Sequence, residues 1–197
     1  MTLTLDVHVR VPHREPGGRD PAPAPLDLVQ RFVNSYDHLS ARGIAESPEA
    51  LDRWIEAHGL PVGPPSTRRD LRRAHEVRET LRAVLKTNNG APLEASLVEG
   101  LNAQTEPVRL GFRLDPSGEP SIVPRATGPS GTIARVLAAC AEAADRGDWG
   151  RLKACLECGW VFYDRSKNRS GTWCTMSICG SRSKMRAYRR RRAGPRA

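Results

Sequence analysis

The chain has 197 residues, which is enough for one or two small domains, and its 39% hydrophobic but only 5% aromatic content allows a modest, mostly aliphatic core. No apolar run approaches the roughly 20 residues that a membrane helix needs. The first residues lack the basic and apolar regions of a secretory signal. We therefore expect a cytoplasmic protein with no membrane partner.

The net charge of +9 is concentrated at one end of the chain. No acidic residue follows Asp164, whereas 11 basic residues do, and the first 164 residues carry a net charge of −2. Such asymmetry favours a polyanionic partner, with nucleic acid ahead of a membrane surface. The alternative is a solvated, disordered basic end, which the dominance of arginine over lysine makes less attractive.

The first predicted elements are a strand, an arm and two helices. Alternating apolar residues predict a strand over 3–11, and a Pro/Gly-rich stretch predicts a loop or flexible arm up to Pro25. A helix follows from about Pro25 towards Tyr36. A second helix is expected after Ser47, which can cap it, and Gly59 ends it.

Three more helices and one hairpin are predicted further along the chain. The longest helix begins at Ser66 or Thr67 and reaches Asn88, and another covers about 92–103. Residues 108–114 and 121–123 are predicted to form a β-hairpin, and a fifth helix begins after 128–130 and ends at Gly147. The predicted fold is mostly α with a small β-hairpin. We divide it into an N-terminal strand and arm (1–25), a helical domain (26–150) and a cysteine-rich module with a basic tail (151–197).

Four of the five cysteines form two close pairs, with the spacing Cys155-x2-Cys158, fifteen residues, then Cys174-x4-Cys179. Two such pairs are the signature of a tetrahedral zinc site, because a short gap lets a tight turn aim two thiolates at one point. Four cysteines leave no open coordination position, so the predicted cofactor is one structural Zn²⁺. A redox dithiol at Cys155 and Cys158, an iron–sulfur cluster and chance clustering remain as alternatives.

The remaining cysteine and the aromatic residues near the pairs are interpreted as structural. Cys140 lies on the apolar face of the fifth helix, where it is expected to behave as a small core hydrophobe. Residues 160–163, together with Trp173, are expected to pack over the zinc turn rather than stack on bases.

The residues after Cys179 have a composition compatible with a basic helix. Arginines leaving a zinc module can contact phosphates or the edges of guanines. We predict groove contacts from the first part of this helix and phosphate contacts from Arg189 onwards. The full set of predicted nucleic-acid-binding residues is Arg165, Lys167, Arg169, Arg182, Lys184, Arg186, Arg189 and Arg190.

The stretch CLECGWVFYDRSKNRSGTWCTMSICGSRSK resembles the CGNR zinc finger, with Ser181 where asparagine is usual. Upstream pieces, including Phe32-Val33-Asn34-Ser35, Leu101-Asn102-Ala103 and Arg151-Leu152-Lys153-Ala154, resemble the ABATE domain that usually precedes this finger. The resemblance implies a bacterial, stress-linked transcription regulator whose finger contacts DNA.

The sequence thus favours a zinc-dependent DNA-binding regulator whose helical domain senses a small-molecule effector or mediates pairing, for instance as a homodimer on a palindromic site. Duplex DNA is the expected partner and the nucleoid the expected location. The alternative is a zinc-binding module that associates with RNA or the ribosome. The five histidines are scattered and no phosphate-binding glycine loop occurs, so we predict no enzymatic activity. Mutation of any of the four paired cysteines is expected to unfold the module and leave the helical domain folded.

Overall fold

A computed structural model describes residues 15–43 and 46–192. The predicted strand over 3–11 and the first residues of the arm lie outside the described residues. The described chain contains six α-helices and three antiparallel strand pairs, which confirms the prediction of a mostly α fold. The helices are α1 (Leu26–Val33), α2 (Pro48–Ala57), α3 (Arg68–Thr87), α4 (Ala95–Thr105), α5 (Gly128–Asp145) and α6 (Ser181–Arg192).

Each strand pair is a two-stranded ladder of its own. The short pair joins β1 (Tyr36–Asp37) to β2 (Arg42–Gly43). The predicted hairpin is confirmed as β3 (Leu110–Leu114) with β4 (Pro120–Pro124), with Phe112 opposite Ile122. The last pair, β5 (Leu152–Ala154) with β6 (Val161–Tyr163), was not predicted, and it carries the first two paired cysteines in its connecting loop.

Local capping explains where two of the predicted helices begin. The Ser47 hydroxyl accepts a hydrogen bond from the amide of Ala50 at 3.2 Å, as predicted. Thr67 and Asp70 form a reciprocal capping box at the start of the twenty-residue helix α3. Helix α4 starts at Ala95 rather than at 92, because Glu94 before it is extended (φ −78°, ψ 139°).

The core lies between α1, α2, α3 and α5. Its fully buried side chains include Val29, Ile55, Leu81, Leu85 and Ile133. Burying a side chain of this size contributes about 1.5–3 kcal/mol to folding. Four residues of the β5–β6 hairpin belong to the same buried cluster: Leu152, Ala154, Val161 and Tyr163.

Polar side chains of α1 hold the β5–β6 hairpin in place. The Gln30 amide donates to the Val161 carbonyl at 3.2 Å and accepts from the Ala22 amide at 2.6 Å. The Asn34 amide both donates to the Val161 carbonyl and accepts from its N–H, each at 2.8 Å. Gln30, Asn34 and Val161 are all buried. Loss of either side-chain amide would therefore leave backbone N–H or C=O groups without a hydrogen-bond partner.

Two asparagines just after α3 also hold the β5–β6 hairpin and its neighbouring segments through hydrogen bonds. Asn88 donates to the carbonyls of Trp149 and Leu152 at 3.0 and 2.9 Å. Asn89 donates to the carbonyls of Ala154 and Thr172 at 3.0 and 2.8 Å. The helices therefore position the segment that carries the cysteine pairs.

Candidate metal centre and basic helix

The four paired cysteines meet at one point. Their sulfur atoms all lie within 4.8 Å of one another, with 3.5 Å between Cys158 and Cys174 and 3.6 Å between Cys174 and Cys179. A disulfide would require about 2.05 Å, so these are free thiols. Two sulfurs bound to one tetrahedral zinc at 2.3 Å lie about 3.8 Å apart. The cluster therefore has the spacing of a metal site and suggests zinc binding.

The first cysteine pair lies in the tight connection between β5 and β6. The Gly159 amide donates to the Cys155 carbonyl at 2.8 Å, and the Cys155 amide donates to the Trp160 carbonyl at 2.9 Å. Gly159 has φ +77°, and a Cβ there would lie 3.2 Å from Cδ of Arg82. This turn therefore needs glycine for its left-handed backbone and for the close approach of α3.

In the second pair, Cys174 precedes a π-helical turn, Met176–Gly180, and Cys179 lies within that turn. Thr175 caps this turn, since its hydroxyl accepts from the Ile178 amide at 3.3 Å. Ser181 follows in the right-handed helical region (φ −67°, ψ −41°), and its hydroxyl donates to the Met176 carbonyl at 3.4 Å. The turn that contains Cys179 thus continues through Ser181 into α6 without a break. The basic helix therefore begins directly after the last cysteine of the cluster.

The close contacts between sulfur atoms shift the pKa values of Cys155, Cys158 and Cys174 in different directions. Hydrogen bonds from Cys158 and Cys174 lower the pKa of Cys155 to about 2. The same hydrogen bonds to Cys155 raise the pKa of Cys158 to about 12 and also raise that of Cys174. A dication that takes all four sulfurs must displace these protons, so its affinity should rise with pH.

A buried ion pair fixes the loop between the two cysteine pairs. Lys153 Nζ donates to Asp164 Oδ2 at 2.8 Å, and both side chains are almost fully buried. Asp164 also accepts from the amides of Ser166 and Gly171 at 3.0 and 2.7 Å. Burial alone would raise the pKa of Asp164, but these donors hold it at about 2. The carboxylate is therefore charged at neutral pH and anchors the loop at both ends.

The aromatic residues divide between two cores. Phe162, Trp160 and Trp173 pack with the thiols, as predicted. Val161 and Tyr163 instead belong to the main core, so the prediction that they cover the metal turn is wrong. Successive side chains of a strand point to opposite faces, so β6 serves the thiol cluster on one face and the helices on the other.

The arm before α1 lies across the cysteine module, a contact that the sequence did not predict. Glu15 accepts a hydrogen bond from the Trp160 indole at 2.9 Å. Arg19 donates to the Trp173 carbonyl at 3.1 Å, and its guanidinium lies 5.0 Å from the centre of the Phe162 ring. The described part of the arm forms a strap over the aromatic residues around the thiols.

The predicted nucleic-acid-binding residues fall into two groups. The loop residues Arg165 and Arg169 donate to the carbonyls of Pro21 and Gly147, and Lys167 is exposed. Arg186 in α6 forms an ion pair with Glu157, the residue before Cys158. Four of the predicted residues, all exposed in α6, make no hydrogen bond or ion pair within the described chain: Arg182, Lys184, Arg189 and Arg190.

Cys140 lies apart from the thiol cluster. It packs against the main core from α5, as predicted, and burial raises the pKa of its thiol to about 12. A thiol held in its protonated form is a poor nucleophile and a poor metal ligand.

Two family models match the chain. The ABATE model, described as "Putative stress-induced transcription regulator", matches residues 26–145. The chain belongs to the ABATE family. The CGNR zinc finger model matches residues 151–192, which include all four clustered cysteines of this ABATE protein. Both matches confirm the resemblance stated from the sequence, in the predicted order.

No curated protein matches this ABATE chain significantly. None of its described helices is long and apolar enough to cross a membrane.

Proposed function

We propose that this ABATE protein is a zinc-dependent, DNA-binding transcription regulator that acts at the nucleoid in the cytoplasm. Its helical part would sense a small molecule or mediate pairing with a second copy. The observation that carries the proposal is that α6 begins directly after the turn that contains Cys179. Its exposed, unpaired cations begin one turn after Cys179, so a metal that orders the cysteine turn also orders the helix.

The donor set supports zinc as the metal. Four thiolates in a tetrahedral arrangement suit zinc or an iron–sulfur centre, and a set of four leaves no position for water or substrate. Cys155, Cys174 and Cys179 are buried, and Cys158 is half-buried. When bound, the ion would neutralise the thiolates and fix the two turns. Its role would be structural, and the proposed function includes no catalytic step.

Charge supports DNA as the partner. Helix α6 contains no acidic residue, and its last turn consists of four consecutive arginines. Each phosphate neutralised by such a side chain adds about 0.9 to the salt slope of binding to duplex DNA. Arg186 is paired with Glu157, so it is expected to contribute less to this slope than its neighbours.

A salt titration of the zinc-loaded full chain on a labelled duplex tests this proposal. We expect fluorescence anisotropy to give a steep slope that falls by about 1.8 in the double variant Arg189→Gln/Arg190→Gln. Arg53→Gln, which removes an exposed arginine on α2, is a control and should leave the slope unchanged. Binding that is indifferent to salt, or equal loss in both variants, would refute the proposal.

A competition assay separates the RNA alternative. If structured RNA displaces the labelled duplex from the protein at a much lower concentration than unlabelled DNA does, RNA is the preferred partner of the module. Selection from a random DNA pool then shows whether the protein reads sequence, and recovery of no enriched motif would contradict a regulator of specific sites.

A further inference from the structure

A wide cleft lies in the helical part, away from the thiols. It has a volume of about 620 Å³, within the range typical of small-molecule sites. Helix α1, the segment that follows α2, the β3–β4 hairpin and α5 all contribute to it. Because these elements are far apart in the sequence, no local motif marks the site.

One face of α5 forms a wall of the cleft. Arg135, Ala138, Ala139 and Glu142 follow the spacing of successive helical turns and all line it. The two alanines leave room that larger side chains would fill. With Leu28 from α1, they give the cleft an apolar side suited to a hydrocarbon or aromatic body.

The charged residues of the cleft differ in whether they already have partners. Arg31 is paired with Asp27 on its own helix, and Glu142 is paired with Arg146 at 2.5 Å. Within the described chain, the guanidinium groups of Arg113 and Arg135 form no hydrogen bond or ion pair. Arg135 is half-buried, so its charge is partly desolvated. The cleft thus combines two available cations with an apolar side.

We propose that this cleft binds an amphipathic organic anion, with its carboxylate or a similar group on Arg113 and Arg135 and its apolar body against Leu28 and Ala138. This inference rests on the effector-sensing role proposed above and gives that role a site and a ligand class. Guanidinium groups favour carboxylates because planar N–H donors match two oxygens at once. A nucleic-acid backbone fits less well, since the apolar side would stay unused.

Displacement of a fluorescent probe from the zinc-loaded full chain tests the proposal. The probe is 1-anilinonaphthalene-8-sulfonate, and the competitors are decanoate and decanol, which share one apolar chain and differ in charge. We expect decanoate to displace the probe at a concentration about tenfold or more below that of decanol. Equal displacement by the two would overturn the proposal.

Variants locate the binding. Arg135→Gln and Arg113→Gln should each weaken decanoate binding about tenfold, and Arg53→Gln should not change it. Ala138→Leu keeps a good helix former and fills the apolar side, so it should weaken binding of probe and competitor alike. Circular dichroism confirms that each variant is folded. Binding unchanged in both Arg113→Gln and Arg135→Gln would refute the site, whereas the DNA titration would be unaffected by that outcome.

Discussion

Replacing Asp164 by asparagine should strongly destabilise the protein, although the change alters one atom. The Oδ2 atom of Asp164 accepts from Lys153 Nζ at 2.8 Å and from the Gly171 amide at 2.7 Å. An asparagine side chain at this position has only one oxygen, so its NH₂ group must face either these two donors or the Ser166 N–H. In either orientation Lys153, which also donates to the carbonyls of Arg169 and Gly171, would be a buried charge without a counter-ion.

Removing one partner of a buried pair costs about 3–5 kcal/mol. Guanidinium unfolding at neutral pH and a fixed zinc concentration, followed by tryptophan fluorescence, measures this loss in the free energy of unfolding. The double variant Lys153→Met/Asp164→Asn is the control, because it removes the unpaired charge, keeps an amide oxygen for the N–H donors of the loop and should recover part of the loss. A loss below about 1 kcal/mol in Asp164→Asn would refute the inference that this pair anchors the loop.

Four further predictions concern the same region. The pKa of Asp164 falls from an ordinary 3.8 to about 2, so its contribution of about 2 kcal/mol is present above pH 4 or so and is lost as the pH falls towards 2. The stability difference between wild type and Asp164→Asn, measured by urea unfolding, should shrink over that window, and a constant difference would contradict the assignment. Cys158→Ser should abolish zinc binding, measured by metal content, and DNA binding with it. It should also lower the melting temperature of the helices, and an unchanged melt by circular dichroism would show that the module is independent. Gly159→Ala should lower the free energy of unfolding by about 1–2 kcal/mol, because the φ of Gly159 is +77° and an added Cβ would lie only 3.2 Å from Cδ of Arg82. Gly118 also has a positive φ but no neighbour within 4 Å, so Gly118→Ala measures the backbone effect alone. Asn89→Ala removes two hydrogen bonds to carbonyls of the cysteine module and should cost about 1–3 kcal/mol in thermal unfolding, while the exposed Asn168→Ala should be neutral.

The metal site could be predicted from the sequence because its information is local. The spacing of Cys155, Cys158, Cys174 and Cys179 is a property of two short turns, and the structure brings the four sulfurs together. The capping signals at Ser47 and Thr67 are equally local, and both helices begin there.

The attachment of the cysteine module could not be predicted, because it depends on side chains distant in the chain. Gln30 and Asn34 reach Val161 across more than 120 residues, and neither has a motif that marks its partner. The boundary placed at residue 150 stays a prediction, but Leu152 and Tyr163 lie in the same core as the helices. This shared core is why loss of the metal is expected to weaken the helical part as well.

Helix α6 shows why a metal would control the binding surface. It has no buried residue, and four adjacent arginines repel one another, so an isolated twelve-residue peptide of this kind would be a marginal helix. Two features favour it in the chain: the positive charges lie at its C-terminal end, where the helix dipole is negative, and its first turn continues the turn that holds Cys179. If Cys179 is not held in place, α6 must form its first turn unaided, which is unfavourable in so short a helix. Zinc removal should therefore melt α6 first, and the arginines would lose their common geometry before the core of the protein unfolds.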